Sequence, residues 1–300
     1  MDNLKGVICI DKPAGFTSFD VVAKLRGILK ERRIGHSGTL DPQATGVLPV
    51  FIGGATKAIS LLEDSDKSYT ASFKLGMVSD TQDIFGTVTK TADVPSLTSA
   101  QLDELMQPLR GNIMQLPPMY SAVQVNGRRL YDLAREGIEV EREKRPVTVY
   151  CLELLSFDGV EGTLNIKCSK GTYIRTIIND IGEAIGCGAV MTGLRRTEAC
   201  GFTLSDCTTL EALEKLRAEE KGFDDVILST DKLFTNMRRI DLDKRLSELY
   251  RNGVRFELSR IGTDTPANGE NFRVYDSYGT FIGIASSDTE NGVLKINKNL

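Results

Sequence analysis

The sequence predicts an α+β fold built on a mixed, largely antiparallel sheet. Three observations carry that expectation. Residues 68–75 alternate polar and apolar side chains at period two. Segments with helical spacing sit between capping and glycine signals. Strands and helices interleave without the strict βαβ rhythm of a doubly wound sheet.

In chain order, Gly6-Val7-Ile8-Cys9-Ile10 is an apolar run stopped by Asp11-Lys12-Pro13-Ala14-Gly15, a strand running into a turn. Thr17 followed three residues later by Asp20 has the pattern of a capping box. Val21, Val22, Leu25, Ile28 and Leu29 then keep helical spacing, which gives one buried and one basic face. Residues 35–54 hold five glycines and two prolines and read as loop around a short apolar strand at 47–52. Tyr69, Ala71, Phe73 and Leu75 alternate with Ser68, Thr70, Ser72 and Lys74, a half-buried strand. A helix is expected over 98–109 with Leu102, Leu105, Met106 and Leu109 inward, a strand at Leu164, Ile166 and Cys168, and a helix from about 172 to 185. Between 117 and 146 arginines (Arg128, Arg129, Arg135, Arg142) alternate with acids. That stretch is either a solvated helix and loop or an arm that folds over a ligand. A capped helix at 241–250 ends at Gly253, and the rest is β-like at 272–275, 280–285 and 293–296. This organisation implies a main domain, 1–235, with an insertion at about 117–146, and a small module, 236–300, that needs to pack on it for stability.

With 41% apolar and 26% charged residues over 300 positions, the chain reads as a globular protein with a sizeable core. No apolar run approaches the ~18 residues of a membrane helix, and the first six residues lack the basic-then-apolar build of a signal peptide, so a cytoplasmic location is expected. Six cysteines without a CxxC pair and a single histidine, His36, give no zinc pattern; no metal is expected. The net charge of −4 by itself argues against nucleic acid as a partner, but its distribution permits one. Residues 24–36 carry five cations against Glu31, residues 167–196 five against two acids, and residues 238–255 six against three. Phosphate contacts require local positive charge rather than a basic total, although a charged stripe also serves as a plain solvated face.

Familiar catalytic motifs fail. Gly35-His36-Ser37-Gly38-Thr39 has Thr39 where a nucleophile elbow needs glycine. His36, Ser37 and Asp41 are neighbours in one loop, whereas triad members come from separate elements. Gly53-Gly54-Ala55-Thr56-Lys57 is not a phosphate loop, and no dinucleotide fingerprint occurs. What remains is Asp41, held extended by Pro42 in a glycine-rich loop between a basic helix and an apolar strand. A carboxylate so held serves as nucleophile or base, or simply closes an Asp-Pro turn.

Four blocks decide between these. Gly6-Val7-Ile8-Cys9-Ile10-Asp11-Lys12-Pro13 with Gly15, Thr17 and Ser18; Gly35-His36-Ser37-Gly38-Thr39-Leu40-Asp41-Pro42 through Gly46-Val47-Leu48-Pro49; Lys67-Ser68-Tyr69 with Gly76, Asp80 and Thr81; and Gly171-Thr172-Tyr173-Ile174-Arg175-Thr176 with Asp180-Ile181-Gly182 occur in the order of the TruB-type tRNA pseudouridine synthases. Pro117-Pro118 with Tyr120-Ser121-Ala122 is similar to the segment preceding that family's RNA-gripping insertion. The resemblance runs from about residue 5 to 200. It implies a pseudouridine-synthase catalytic domain with a small, β-rich, PUA-like C-terminal domain. It further implies isomerisation of uridine 55 in the T loop of tRNA, without cofactor or metal, by a monomer that needs no protein partner. The base has to leave its stack, so a flipped-base pocket is expected.

By position, the resemblance makes Asp41 the residue that attacks the nucleotide, at ribose or base, and Arg175 its aiming partner; a plain surface arginine is the alternative. Tyr69 stacks on the flipped base and helps move its proton, or packs the core with Phe73 and Leu75. His36 takes the vacated place in the RNA stack, or is buried. Lys12, Lys57 and Tyr173 are pocket or phosphate residues, and Leu194 packs on the uracil face unless it is ordinary core. Two other functions fit the same motifs: a guide-RNA-dependent relative, and an RNA-binding or tRNA-folding protein.

Overall fold

The computed structural model describes residues 4–62, 66–262 and 266–300, so the first three residues of the expected unsignalled start lie outside it. The local signals build the elements they predict. The apolar run becomes strand β1 (Gly6–Lys12). Thr17 caps helix α1 (Ser18–Leu29), whose buried face includes Val21, Val22, Leu25, Ile28 and Leu29. In the capping box, the Asp20 N–H donates to Thr17 Oγ1 at 3.0 Å and the Thr17 N–H donates back to the Asp20 carboxylate at 2.8 Å. The glycine-rich stretch holds more strand than expected: β2 (Ile34–His36) pairs with β3 (Thr45–Ile52), so the loop proper is confined to residues 37–44.

Strand β4 (Lys67–Leu75) buries Tyr69, Ala71, Phe73 and Leu75 on one face. Helix α2 (Ser99–Met106) is shorter than predicted. Pro108 lacks an N–H and disfavours helical geometry in the residue before it, so the chain tightens into a 3₁₀ turn, and Leu105 and Leu109 stay half-buried. Strand β5 (Gly111–Gln115) precedes the polar stretch, which holds a small hairpin and a short helix, α3 (Leu130–Arg135). Strands β6 (Arg145–Phe157) and β7 (Glu161–Cys168) follow, then α4 (Ile174–Ile185) and β8 (Ala189–Ala199). The main sheet, with nine strands among the described residues, runs β1-β3-β8-β4-β7-β6-β5 along its spine. Every pair along that spine is antiparallel except β3 with β8. The two longest strands, β6 and β8, had no clear pattern in the sequence because both are irregular: bulges interrupt the pairing of β6 with β7 and of β8 with β4.

Helices α2 and α4 cover one face of β4, β7 and β6. Helix α1 packs beside α5 (Leu210–Ala218) over β1 and β3. A second sheet, with five strands among the described residues, is built between 238 and 299, with β10 (Arg238–Asp241) parallel to β12 (Asn271–Tyr275), which is followed by β13 (Phe281–Asp288) and β14 (Val293–Asn299). The helix expected at 241–250 is α6 (Lys244–Arg251): Asp241 ends β10, and Asp243 caps the helix by accepting the Leu246 N–H at 2.7 Å. The two-residue strand Phe202–Thr203 (β9) pairs with the end of β8 off the spine of the main sheet, and Phe256–Glu257 (β11) pairs with β14 at the edge of the second sheet. Phe234, Tyr275, Phe281 and Ile284 pack with Val7, Phe51 and Ala55, so the second sheet docks on the first through one shared apolar cluster.

Candidate active site

The loop carrying Asp41 is tied down from below. Lys12, fully buried, donates to the carbonyls of Pro13 and Pro42, both at 3.0 Å, and to that of Phe16. The Gly15 N–H donates to the same Pro42 carbonyl at 2.9 Å. Ser18 Oγ accepts the Leu40 N–H at 2.9 Å, and Leu40 and Ala44 are buried in the main core. The turn between β1 and α1 therefore fixes the backbone on both sides of Asp41 and leaves its carboxylate about half exposed. Burial lowers the Lys12 ammonium to about 8, with the Asp41 charge opposing the shift. Lys12 thus acts on the loop backbone and does not line the pocket above it.

Arg175 enters from the first turn of α4, and each of its three guanidinium nitrogens is engaged. Nε lies 3.1 Å from Asp41 Oδ2 and 3.9 Å from Asp83 Oδ2; Nη1 donates to the Thr81 carbonyl at 2.8 Å and Nη2 to the Tyr120 carbonyl at 2.9 Å. Only 7% of the residue is exposed, so it is the buried partner of a half-exposed carboxylate rather than a surface arginine. Its planar fork makes these contacts simultaneously, which a single ammonium cannot do.

Above the pair lies a cavity of about 390 Å³ lined by Asp41, Tyr69, Tyr173, Arg175 and Leu194, and by Tyr120 from the polar stretch. That volume suits a small ligand or a single nucleoside. Tyr69 is almost wholly buried, and burial pushes its phenol up to about 12. Tyr173 precedes α4 and is held by Gln115, whose amide accepts the Tyr173 N–H at 2.8 Å and donates to its carbonyl at 3.0 Å. Leu194 lies on β8, half-buried against the main core. Lys67 and Lys170 add positive charge to the lining, and burial lowers the Lys67 ammonium.

Besides Lys12, two predicted site residues lie outside the cavity lining. His36 ends β2 one residue before the pocket-lining Ser37; it is half-buried, and its Nδ1 has no hydrogen-bond partner. Burial, and then the Arg196 charge, lowers its pKa. Lys57 lies on the 3₁₀ segment Gly53–Leu61 and donates to the Asn299 carbonyl at 3.0 Å, at the junction of the two sheets rather than in the cavity. Sequence reading missed Asp83, Gln115 and Arg196. Asp83 stood three residues past the quoted Asp80, a spacing that could have drawn attention to it; Gln115 and Arg196 gave no local signal. Among the described residues no cluster of side chains could hold a metal ion, and no helix is long and apolar enough to cross a membrane.

Residues 26–174 match the TruB family pseudouridylate synthase N-terminal domain, and residues 175–235 match the tRNA pseudouridylate synthase B C-terminal domain. The chain belongs to the TruB family. Relatives named tRNA pseudouridine synthase B include one from Clostridium acetobutylicum, 41% identical over 96% of this chain and 97% of its own length. Another, from Saccharophagus degradans, is 42% identical over 97% of this chain and 94% of its own. Among solved structures, a chain of a Cbf5–Nop10–Gar1 complex superposes with a TM-score of 0.73 at 25% identity, covering 98% of this chain and 84% of that one. The mixed-sheet fold with its β-rich C-terminal part is thus the TruB/Cbf5 type.

Proposed function

We propose that this TruB-family enzyme isomerises uridine to pseudouridine at position 55, in the T loop of tRNA. The observation that carries the reading is the Asp41–Arg175 pair, 3.1 Å apart, on the floor of a nucleoside-sized cavity that Tyr69 and Leu194 also line. The reaction breaks the bond from C1′ to N1 and makes one from C1′ to C5; the C5 hydrogen leaves as a proton and N1 gains one, so no co-reactant is consumed. Asp41 attacks the flipped nucleotide, at ribose or base, with Arg175 aiming it. Tyr69 stacks on the base and helps move its proton, Leu194 packs on the uracil face, and Tyr173 lines the pocket. His36, at the pocket's edge, takes the vacated place in the RNA stack. Lys57 faces phosphate, and Lys12 supports the loop. The chain works in the cytoplasm as a monomer, as residues 1–235 carrying the chemistry and residues 236–300 forming a PUA-like module, without metal or cofactor.

Asp41→Asn tests this on an unmodified tRNA transcript with no protein or guide RNA added. We expect wild-type chain to form pseudouridine at position 55 and the variant to form none while still binding the transcript. Unchanged product from Asp41→Asn refutes the role of Asp41. Wild-type activity only in the presence of a guide RNA and accessory proteins favours a guide-dependent reading instead, toward which the likeness to a Cbf5 complex points.

A further inference from the structure

Arg196 is the largest of the wholly buried side chains. Taking a guanidinium out of water is costly unless its surroundings compensate it. Arg196 has no carboxylate partner among the described residues; two backbone carbonyls take hydrogen bonds from it, and its side chain also interacts with the Tyr69 phenol. Nε donates to Val47 O at 2.7 Å and Nη2 to Gly38 O at 2.9 Å. Gly38 and Val47 bracket the loop that carries Asp41, so one side chain ties the two ends of that loop together. The third nitrogen, Nη1, is buried without a hydrogen-bond partner and lies 3.2 Å from the point where a Cβ on Gly38 would stand.

The strand register explains the placement. Arg196 of β8 sits directly opposite Tyr69 of β4 on one side and opposite Gly46 of β3 on the other. Directly opposed residues of an antiparallel pair project to the same face, so the guanidinium and the Tyr69 ring share one side of the sheet, beneath the cavity. Burial raises the Tyr69 phenol, and the Arg196 charge is the strongest influence that pulls it back. The neighbouring Arg195, on the opposite face, takes the ordinary course and pairs with the Asp11 carboxylate at 2.7 Å.

We propose that Arg196 is a positioning residue for the isomerisation: it pins both ends of the Asp41 loop and sets that loop against Tyr69, so that carboxylate and phenol meet the flipped base together. The inference rests on the roles given above to Asp41 and Tyr69. It assigns Arg196 no contact with RNA, because none of its surface is exposed.

A double-mutant cycle on the full chain with T-stem-loop RNA tests it, using Arg196→Met, Tyr69→Phe and the pair. We expect Arg196→Met to lower kcat about 100-fold with KM changed less than about threefold, as a misaimed group does. In the Tyr69→Phe background the same change should cost less than about tenfold, because one of the two groups it aligns has already lost its hydroxyl. Arg196→Lys, which retains the charge but not the fork, should be impaired in kcat as well, and it carries the cycle if Arg196→Met fails to fold. Fully multiplicative losses, a loss confined to KM, or kcat within about threefold of wild type overturns the proposal. Failure of both variants to fold overturns it too, since Arg196 would then be a stability residue. Absence of pseudouridine from wild-type chain instead overturns the functional reading on which the inference stands.

Discussion

Replacing Arg175 with lysine separates aiming from charge. The guanidinium reaches Asp41, Thr81 O and Tyr120 O at 2.8–3.1 Å through three different nitrogens. A lysine ammonium is a single nitrogen on a shorter reach and cannot span acceptors that the fork meets from three separate nitrogens, so two contacts are expected to be lost. Each carbonyl left unpaired in a buried setting costs roughly 1 kcal/mol or somewhat more. The variant should therefore be less stable by about 2–3 kcal/mol. Activity should suffer more. The charge opposite Asp41 remains, but a displacement of its carboxylate by about 1 Å is enough to lower turnover on the order of 100-fold. Because Arg175 is 7% exposed and its partners are protein groups, KM for RNA should stay within about threefold. Stability is read from urea unfolding and turnover from tritium released from C5-labelled uridine in tRNA. A variant with kcat within about threefold of wild type, or one impaired only in KM, would refute the argument that the fork aims the carboxylate.

Two further outcomes follow from the same geometry. Gly46 has φ +101°, and a Cβ there would stand 2.1 Å from the Arg196 carbonyl across the parallel pair, so Gly46→Ala should cost at least about 2 kcal/mol in urea unfolding; wild-type stability would show that β3 and β8 do not approach as described. Lys12 has a folded pKa of about 8 against an ordinary 10.5, lowered by burial. The cost of burying its charge is therefore present in full below about pH 8 and is relieved as pH rises toward 10.5. The stability of wild type minus that of Lys12→Met should then increase across that window; a flat difference would mean that the ammonium is not desolvated.

Much of this protein was legible in the linear chain because the signals were local. The Thr17–Asp20 cap, the helical spacing from Val21 to Leu29 and the alternation at Tyr69–Leu75 each depend on neighbours a few residues apart, and each became the expected element. The glycine- and proline-rich loop around Asp41 was likewise visible, while Arg175 as its partner came from the resemblance to a family. Nothing local could show what holds that loop. Lys12 was expected at a pocket wall or a phosphate, yet its ammonium is claimed by backbone carbonyls that only the β1–α1 turn brings together. The clearest contrast is Arg195 beside Arg196. In sequence they are two adjacent cations in a polar run. On a strand, consecutive side chains point to opposite faces, so one pairs with Asp11 and the other is driven under the cavity opposite Tyr69. Sequence alone determined the elements whose signals are local, the capped helix α1 and the alternating strand β4 among them, and it singled out the Asp41 loop. Which of two identical side chains bonds to both ends of the Asp41 loop was decided by strand register, a long-range pairing that only the assembled sheet specifies.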